Sequence, residues 1–319
     1  MNKWKKAISR PFLQWMANRG SPVRFHHFWD FDDIEDLWFY RFIRHRGILD
    51  KAKTKRIDFY SVFGPRPLTK WLMNKEHKSI FFTGENLDNY PAYADRMLRE
   101  VDLSIGFEYL DHPKYFRFPL WLLYIIKPEW GLPEIRDYIT RAFNQTEYRE
   151  RPGFCCLVAS HDRNGIRRKM MNEVAAIGPV TSAGKIYNNS NALKVEFGND
   201  KSEFIKQFKL NICPENSNAP GYVTEKVIQA LEAGCIPLYW GNNNQAEPKI
   251  VNQETIWYFD QDPDTLMKFR ERLIKLKQDP GVYRDWCKLP RFLPGAAEII
   301  SEWMDQLEER IIRAPASME

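Results

Sequence analysis

Apolar and polar residues alternate from Phe208 to Ile212, with Phe208, Leu210 and Ile212 separated by Lys209 and Asn211, the period of a β-strand. A cluster of turn formers, PENSNAPG, follows. From Val223 the apolar positions fall at Val223, Val227, Ala230 and Leu231, the spacing of one helix face, and Gly234 closes that helix. Ile236-Pro237-Leu238-Tyr239-Trp240 reads as a second strand. Strand, loop, helix and strand in this order predict a parallel βαβ unit, with its first loop at the carboxyl end of its first strand.

The pattern extends in both directions. Val23 to Phe31 reads as a strand, Ile34 to His45 as a helix, and Arg56 to Gly64 and Ser79 to Asn86 as two more strands. This alternation predicts a half-domain of Rossmann type. Leu120 to Arg151, punctuated by Pro128 and Pro133, reads as a connection. Phe154 to Ala159 opens a second half as a strand, Trp257 to Phe259 closes it, and amphipathic helices are expected over Pro263 to Lys277 and Ala296 to Ile312. The expected organisation is a domain over 1–145, a second over 146–295, and a C-terminal helix, 296–319, packing back toward the first.

Candidate chemistry gathers at the start of the helix after Gly221. Tyr222, Glu225 and Lys226 lie within its first turn. The N–H groups and dipole of a helix start favour a phosphate, and Lys226 adds a full charge. Glu225 has the wrong sign for phosphate and suits sugar hydroxyls. A nucleotide-sugar site and an ordinary surface helix account for this spacing equally well.

The longer motifs separate the two readings. ENSNAPGYVTEKVIQALEAGCIPLYWG resembles the signature of the α-1,3/1,4-fucosyltransferases, glycosyltransferase family 10. FFTGEN at Phe81 to Asn86, followed by DLSIGFEYLDHPKYFRFPLWL, resembles that family's N-terminal block in the same order, and a weaker match surrounds FCCLVASHDRNGIRRKM. The resemblance implies an α/β fold of two Rossmann-like domains facing a central cleft, the GT-B arrangement. It implies inverting transfer of L-fucose from GDP-fucose, in α-1,3 or α-1,4 linkage, to N-acetylglucosamine or glucose of an N-acetyllactosamine- or lactose-type glycan. Glu85, the Glu of GEN, stands at the position of the family's proposed general base. Arg167 stands where the family carries a phosphate-binding arginine, with a one-residue slip to Arg168 left open. Asn216, Tyr222, Glu225, Lys226 and, more weakly, Lys185 are implied for the donor, and Glu108 and Asp111 for the acceptor. Asp111 and Arg117 fit a loop-shaping pair equally well. GNNNQAEPKIV departs from the family's hydrophobic, aspartate-containing version.

Composition excludes several alternatives. With 44% hydrophobic and 28% charged residues the chain is globular. A net charge of +5 suits an anionic donor or membrane surface, and no basic stripe with interleaved aromatics points to nucleic acid. The five cysteines show no CxxC spacing and read as buried thiols. No cofactor is expected, because charged side chains replace a divalent ion, which would at most stimulate. The triplet Asp30-Phe31-Asp32 matches a metal-binding DxD in form only, since it ends a first strand. No window resembles a signal peptide or anchor, so a bacterial-type cytoplasmic enzyme or a trimmed chain is expected. Residues 1–20 are basic and amphipathic, which suits peripheral contact with an anionic inner membrane face. A terminal helix packed on its own domain is the simpler reading of them. Two alternatives remain: transfer from another GDP-sugar, or a non-catalytic carbohydrate- or membrane-binding relative.

Overall fold

The computed structural model describes residues 16–29, 31–144 and 147–314. The basic N-terminal segment up to residue 15 and Asp30 of the acidic triplet lie outside them, as does the end of the C-terminal helix prediction from residue 315. The described chain forms two units, one from residues up to Gly131 together with those from Ile300 onward, the other Leu132–Ile299. Each holds a five-stranded, wholly parallel sheet, in accord with the α/β class expected. No helix among the described residues is long and apolar enough to cross a membrane.

The first unit comprises β1 (Val23–His26), α1 (Trp38–His45), α2 (Ile48–Lys51), β2 (Ile57–Tyr60), α3 (Arg66–Leu72), β3 (Lys78–Phe82), β4 (Leu103–Gly106), β5 (Tyr115–Arg117) and α4 (Leu120–Ile125). Parallel strands covered on both faces need near-continuous apolar runs, and β2, β3 and β4 are buried at every position. Phe39 of α1 packs on one face against Phe59 and Phe82, at 5.0 and 4.8 Å between ring centroids. On the other face Tyr60 and Phe81 meet Tyr93 and Met97. The helix expected from Ile34 is interrupted: Leu37 is extended (φ −73°, ψ 130°), and the α-helix begins only at Trp38. β4 and β5, too short to stand out in the pattern, complete the sheet. The strands lie in chain order, and Phe82 pairs with Ile105. The loops leaving β3 and β4 are therefore neighbours at the carboxyl end of the sheet.

One buried acid sits within this sheet. Asp58 is fully buried on β2. It accepts hydrogen bonds from Arg56 Nε at 3.0 Å and His26 at 3.4 Å, while His77 Nδ1 lies 3.3 Å away. Burial by itself raises the carboxyl's pKa, but the bonds from His26 and Arg56 outweigh it and hold it below the ordinary 3.8. A lowered carboxyl pKa stabilises the fold above the unfolded value and loses that contribution as the pH falls through the folded value. Asp58→Asn should therefore lose about 3 kcal/mol at neutral pH and show a flatter acid limb in urea unfolding between pH 5 and 2. An unchanged acid limb would show that Asp58 is not the titrating group.

The second unit begins with α5 (Leu132–Ala142), where the prolines had suggested a mere connection. Pro133 occupies the first turn, where a missing N–H costs nothing, so it starts a helix instead of breaking one. β6 (Gly153–Leu157), α6 (Ile166–Ala175), β7 (Val180–Ser182), α7 (Ala192–Val195), α8 (Lys201–Ile205), β8 (Phe208–Ile212), α9 (Glu225–Glu232), β9 (Ile236–Tyr239), β10 (Trp257–Tyr258), α10 (Pro263–Gln278) and α11 (Gly281–Cys287) follow. The five cysteines are free and buried. The strand order is β10-β9-β8-β6-β7. The chain leaves β6 toward β7 and then returns to β8 on the other flank. Loops after β6 and β8 thus diverge at a switch point, the place where open α/β sheets leave a crevice.

The last helix, α12 (Ala296–Arg313), belongs to the first unit from Ile300 onward. There the buried Lys78 donates to the carbonyls of Ile311, Ile312 and Ala314 at 2.8, 2.8 and 2.7 Å, satisfying acceptors that the helix end leaves open. Arg46 binds Asp305 and Glu308 at 2.7 and 2.9 Å.

Candidate active site

The crevice at the β6/β8 switch point is a cavity of about 200 Å³. Val158 to His161 line it from the loop after β6, Cys213 and Pro214 from the loop after β8, Arg167 from α6, Lys201 from α8, and Glu225 and Lys226 from the start of α9. Arg167, Lys201 and Lys226 against the single carboxylate of Glu225 give the lining an excess of positive charge, which suits an anion.

Each charge is held by its surroundings. Arg167 is 5% exposed, and its guanidinium donates to Asn216 Oδ1 at 2.9 Å. Burial lowers its pKa, with Asp162 and Glu215 acting in the opposite sense, but a guanidinium stays protonated. Asp162 accepts the backbone N–H of Arg167 and Arg168 at 3.2 and 3.0 Å and so anchors the start of α6. Of the two arginines, Arg167 lines the cavity, while Arg168 lies outside over the Tyr187 ring at 5.1 Å.

Lys226 rests on a residue that the sequence reading passed over. Glu215 is fully buried in the loop after β8. Its carboxylate accepts from Thr224 N (2.8 Å), Thr224 Oγ1 (2.6 Å), Lys226 Nζ (3.1 Å) and Tyr239 OH (3.4 Å). Burial by itself lowers the Lys226 pKa, but Glu215 and Glu225 outweigh it and raise it. A Cβ on Gly241, whose φ is +144°, would stand 2.7 Å from Glu215 Cγ, so this position needs glycine. Only the carboxylate's place at the end of an apolar strand marked Glu215 in sequence. The asparagine run after Gly241 buttresses the same loop: Asn242 Oδ1 accepts Gly221 N at 2.6 Å, and Asn243 N donates to Asn218 Oδ1 at 2.7 Å. All three asparagines, 242 to 244, have positive φ, which Asn tolerates better than most residues.

The remaining donor candidates divide. Asn216 reaches the cavity through Arg167. Tyr222 is 2% exposed and is not a lining residue, because the turn closed by its N–H to Ala219 O (3.0 Å) carries the ring inside. It remains near enough to act on the Arg167 charge. Lys185 is exposed on the loop after β7, which presses on the cavity wall where Ile186 N donates to Ala159 O at 3.2 Å.

In the first unit, Glu85 lies half-buried directly after β3, its N–H bonded to Thr83 Oγ1 at 3.0 Å. Glu108 and Asp111 lie on the neighbouring loop after β4. Glu108 is gripped by Arg96 through two bonds, 2.5 and 2.6 Å, whereas Asp111 is exposed. Arg117 donates to Phe107 O at 2.9 Å and lies 4.4 Å over the Tyr109 ring. Among the described residues no three His, Cys, Asp or Glu are grouped to hold a metal ion.

Two parallel α/β units, one bearing a cation-lined cavity at its switch point, define the architecture of the GT-B glycosyltransferases. The family model for the alpha-(1,3)-fucosyltransferase FucT N-terminal domain matches residues 23–124, and that for the glycosyltransferase family 10 (fucosyltransferase) C-terminal part matches residues 148–294. The chain belongs to glycosyltransferase family 10, the fucosyltransferases. It is 29% identical to the alpha-(1,3)-fucosyltransferase FucT of Helicobacter pylori over 78% of its length, and 25% identical to alpha-(1,3)-fucosyltransferase B of Drosophila melanogaster over 54%. It spans 58% and 40% of those relatives' lengths. The fold is that of an α1,3-fucosyltransferase crystallised with GDP-fucose, with a TM-score of 0.56 at 21% identity over 94% of this chain and 97% of the other.

Proposed function

We propose that the protein transfers L-fucose from GDP-fucose, with inversion, to a hydroxyl of N-acetylglucosamine or glucose in an N-acetyllactosamine- or lactose-type glycan, making an α-1,3 or α-1,4 linkage. The observation that carries this reading is the cation-lined cavity at the switch point of the unit that matches the family's C-terminal part.

Glu85 takes the proton of the acceptor hydroxyl as that oxygen attacks the fucosyl anomeric carbon. A carboxylate is ionised at neutral pH and ready to accept it. The bond from that carbon to the β-phosphate oxygen breaks, and GDP leaves with its electron pair. Arg167 and Lys226 stabilise the charge that develops on the diphosphate, and being fixed beforehand they need no reorganisation. Asn216 positions Arg167. Glu225 accepts hydrogen bonds from sugar hydroxyls, Tyr222 backs the arginine, and Lys185 reaches the donor from the rim. Glu108 and Asp111 contact the acceptor. Two fixed cations at the leaving group make a divalent ion unnecessary.

The test is GDP release from GDP-fucose, in EDTA, with lactose, N-acetyllactosamine and its 1,3-linked isomer. Release that depends on one of these acceptors is expected. Release that needs added Mn²⁺ would overturn the metal-free mechanism, and failure to bind GDP would overturn the donor site itself.

A further inference from the structure

The donor cavity contains a lysine that neither the family motifs nor the proposed mechanism uses. Lys201 lies in the first turn of α8 and lines the cavity beside Glu225, Asn211 and Cys213. Among the described residues its ammonium makes one hydrogen bond, to Gln229 Oε1 on α9 at 3.0 Å. Two N–H donors are left for a ligand.

The neighbouring cations are engaged differently. Lys226 is held by Glu215 and Thr224, and Arg167 by Asn216 and the Pro214 carbonyl. His161, whose pKa is lowered by burial and then by Arg167, Arg163 and Lys226, belongs with these two. Lys201 is bonded to none of these anchors but to Gln229, one helical turn after Glu225. Burial lowers its pKa; Glu225 raises it and Lys226 lowers it further. The bonded partners therefore divide the lining into two groups. One gathers His161, Arg167 and Lys226 and suits a diphosphate. The other pairs a lysine with a carboxylate, donors beside acceptors, the complement of vicinal hydroxyls on a sugar ring.

Building on the function proposed above, we propose that Lys201 is a specificity-determining residue for the donor sugar: with Glu225 it reads the hydroxyls of the transferred hexosyl ring and not the diphosphate. A site built to bond hydroxyls discriminates strongly, because a sugar that misplaces one leaves a buried polar group unpaired.

The test is the affinity of Lys201→Met, and of Lys201→Gln, which keeps a neutral donor, for GDP and for GDP-fucose by calorimetry. A lost charge-assisted hydrogen bond corresponds to roughly 10- to 100-fold in affinity. GDP-fucose binding should weaken by that factor in Lys201→Met and by less in Lys201→Gln, and KM for GDP-fucose should follow. GDP affinity should stay within about twofold of wild type, since no contact with GDP is removed. Lys201→Met should also narrow the preference for GDP-fucose over GDP-mannose. Equal losses for GDP and GDP-fucose would overturn the proposal and assign Lys201 to the phosphates. No loss in either folded variant would reduce it to a brace for α9. Should Lys201→Met fail to fold, Lys201→Gln decides by the same comparison. Wild type that fails to bind GDP would overturn both this inference and the reading beneath it.

Discussion

Glu85→Gln should lower acceptor-dependent turnover by about 10²- to 10⁴-fold while GDP affinity stays at the wild-type level. The amide has the size of the carboxylate but cannot take a proton. Glu85 sits where β3 runs out into a loop, at the carboxyl end of the strand, where open α/β folds place their chemistry. Its backbone is fixed by Thr83 Oγ1, so the substitution should leave the local fold intact. The rival on the neighbouring loop, Glu108, has both oxygens engaged by Arg96. Glu108→Gln should cost turnover far less than Glu85→Gln. The measurement is kcat for GDP release with the best acceptor, beside calorimetric GDP binding. Retention of a tenth or more of wild-type kcat in Glu85→Gln would move the base elsewhere, and Asp111 would be the next to test.

The second large effect is expected at Glu215. Glu215→Gln keeps the shape of a fully buried side chain but removes the charge that holds Lys226. The Lys226 ammonium loses a charge-assisted partner worth roughly 1.5–3 kcal/mol, and with it the bond that fixes its place in the cavity. GDP and GDP-fucose affinity should both fall, by roughly 10- to 100-fold, unlike the selective loss expected at Lys201. A titration sharpens the test. The Lys226 pKa is raised in the fold, so the pair's stabilisation is complete below the ordinary lysine value of 10.5 and is lost as the pH rises through the folded value. Wild type should therefore lose stability above that pH more steeply than Glu215→Gln. Coincident alkaline limbs, together with unchanged GDP affinity, would remove Glu215 from the donor site.

How much of this was legible in the chain follows from where each residue sits. The strand–loop–helix–strand run from Phe208 to Gly241 could be read because a parallel strand covered on both faces needs an apolar run, and its turn formers mark the loop. Arg167 and Lys226 were visible as cations at helix starts next to such loops. Glu215 was not, because a buried carboxylate in a turn-rich stretch looks like any solvated one until its four hydrogen bonds appear. Lys201 was hidden for the same reason, in a charged segment with no motif. Tyr222 is the opposite case: its place beside the glycine suggests contact with a ligand, and in the fold it is buried and does not line the cavity. α5 was concealed by Pro133, whose effect depends on whether it falls in the first turn or the interior of a helix.

The chain by itself determined the α/β class, the family, the strand end after which Glu85 stands and the helix starts that carry Arg167 and Lys226, since apolar period and turn chemistry are local properties. Tertiary structure decided the order of the strands, and with it the switch point that opens the cavity. It also decided which charges are buried and which partners hold them. Those depend on residues far apart in sequence meeting in a medium where an unpaired charge is costly, and no local pattern records that meeting.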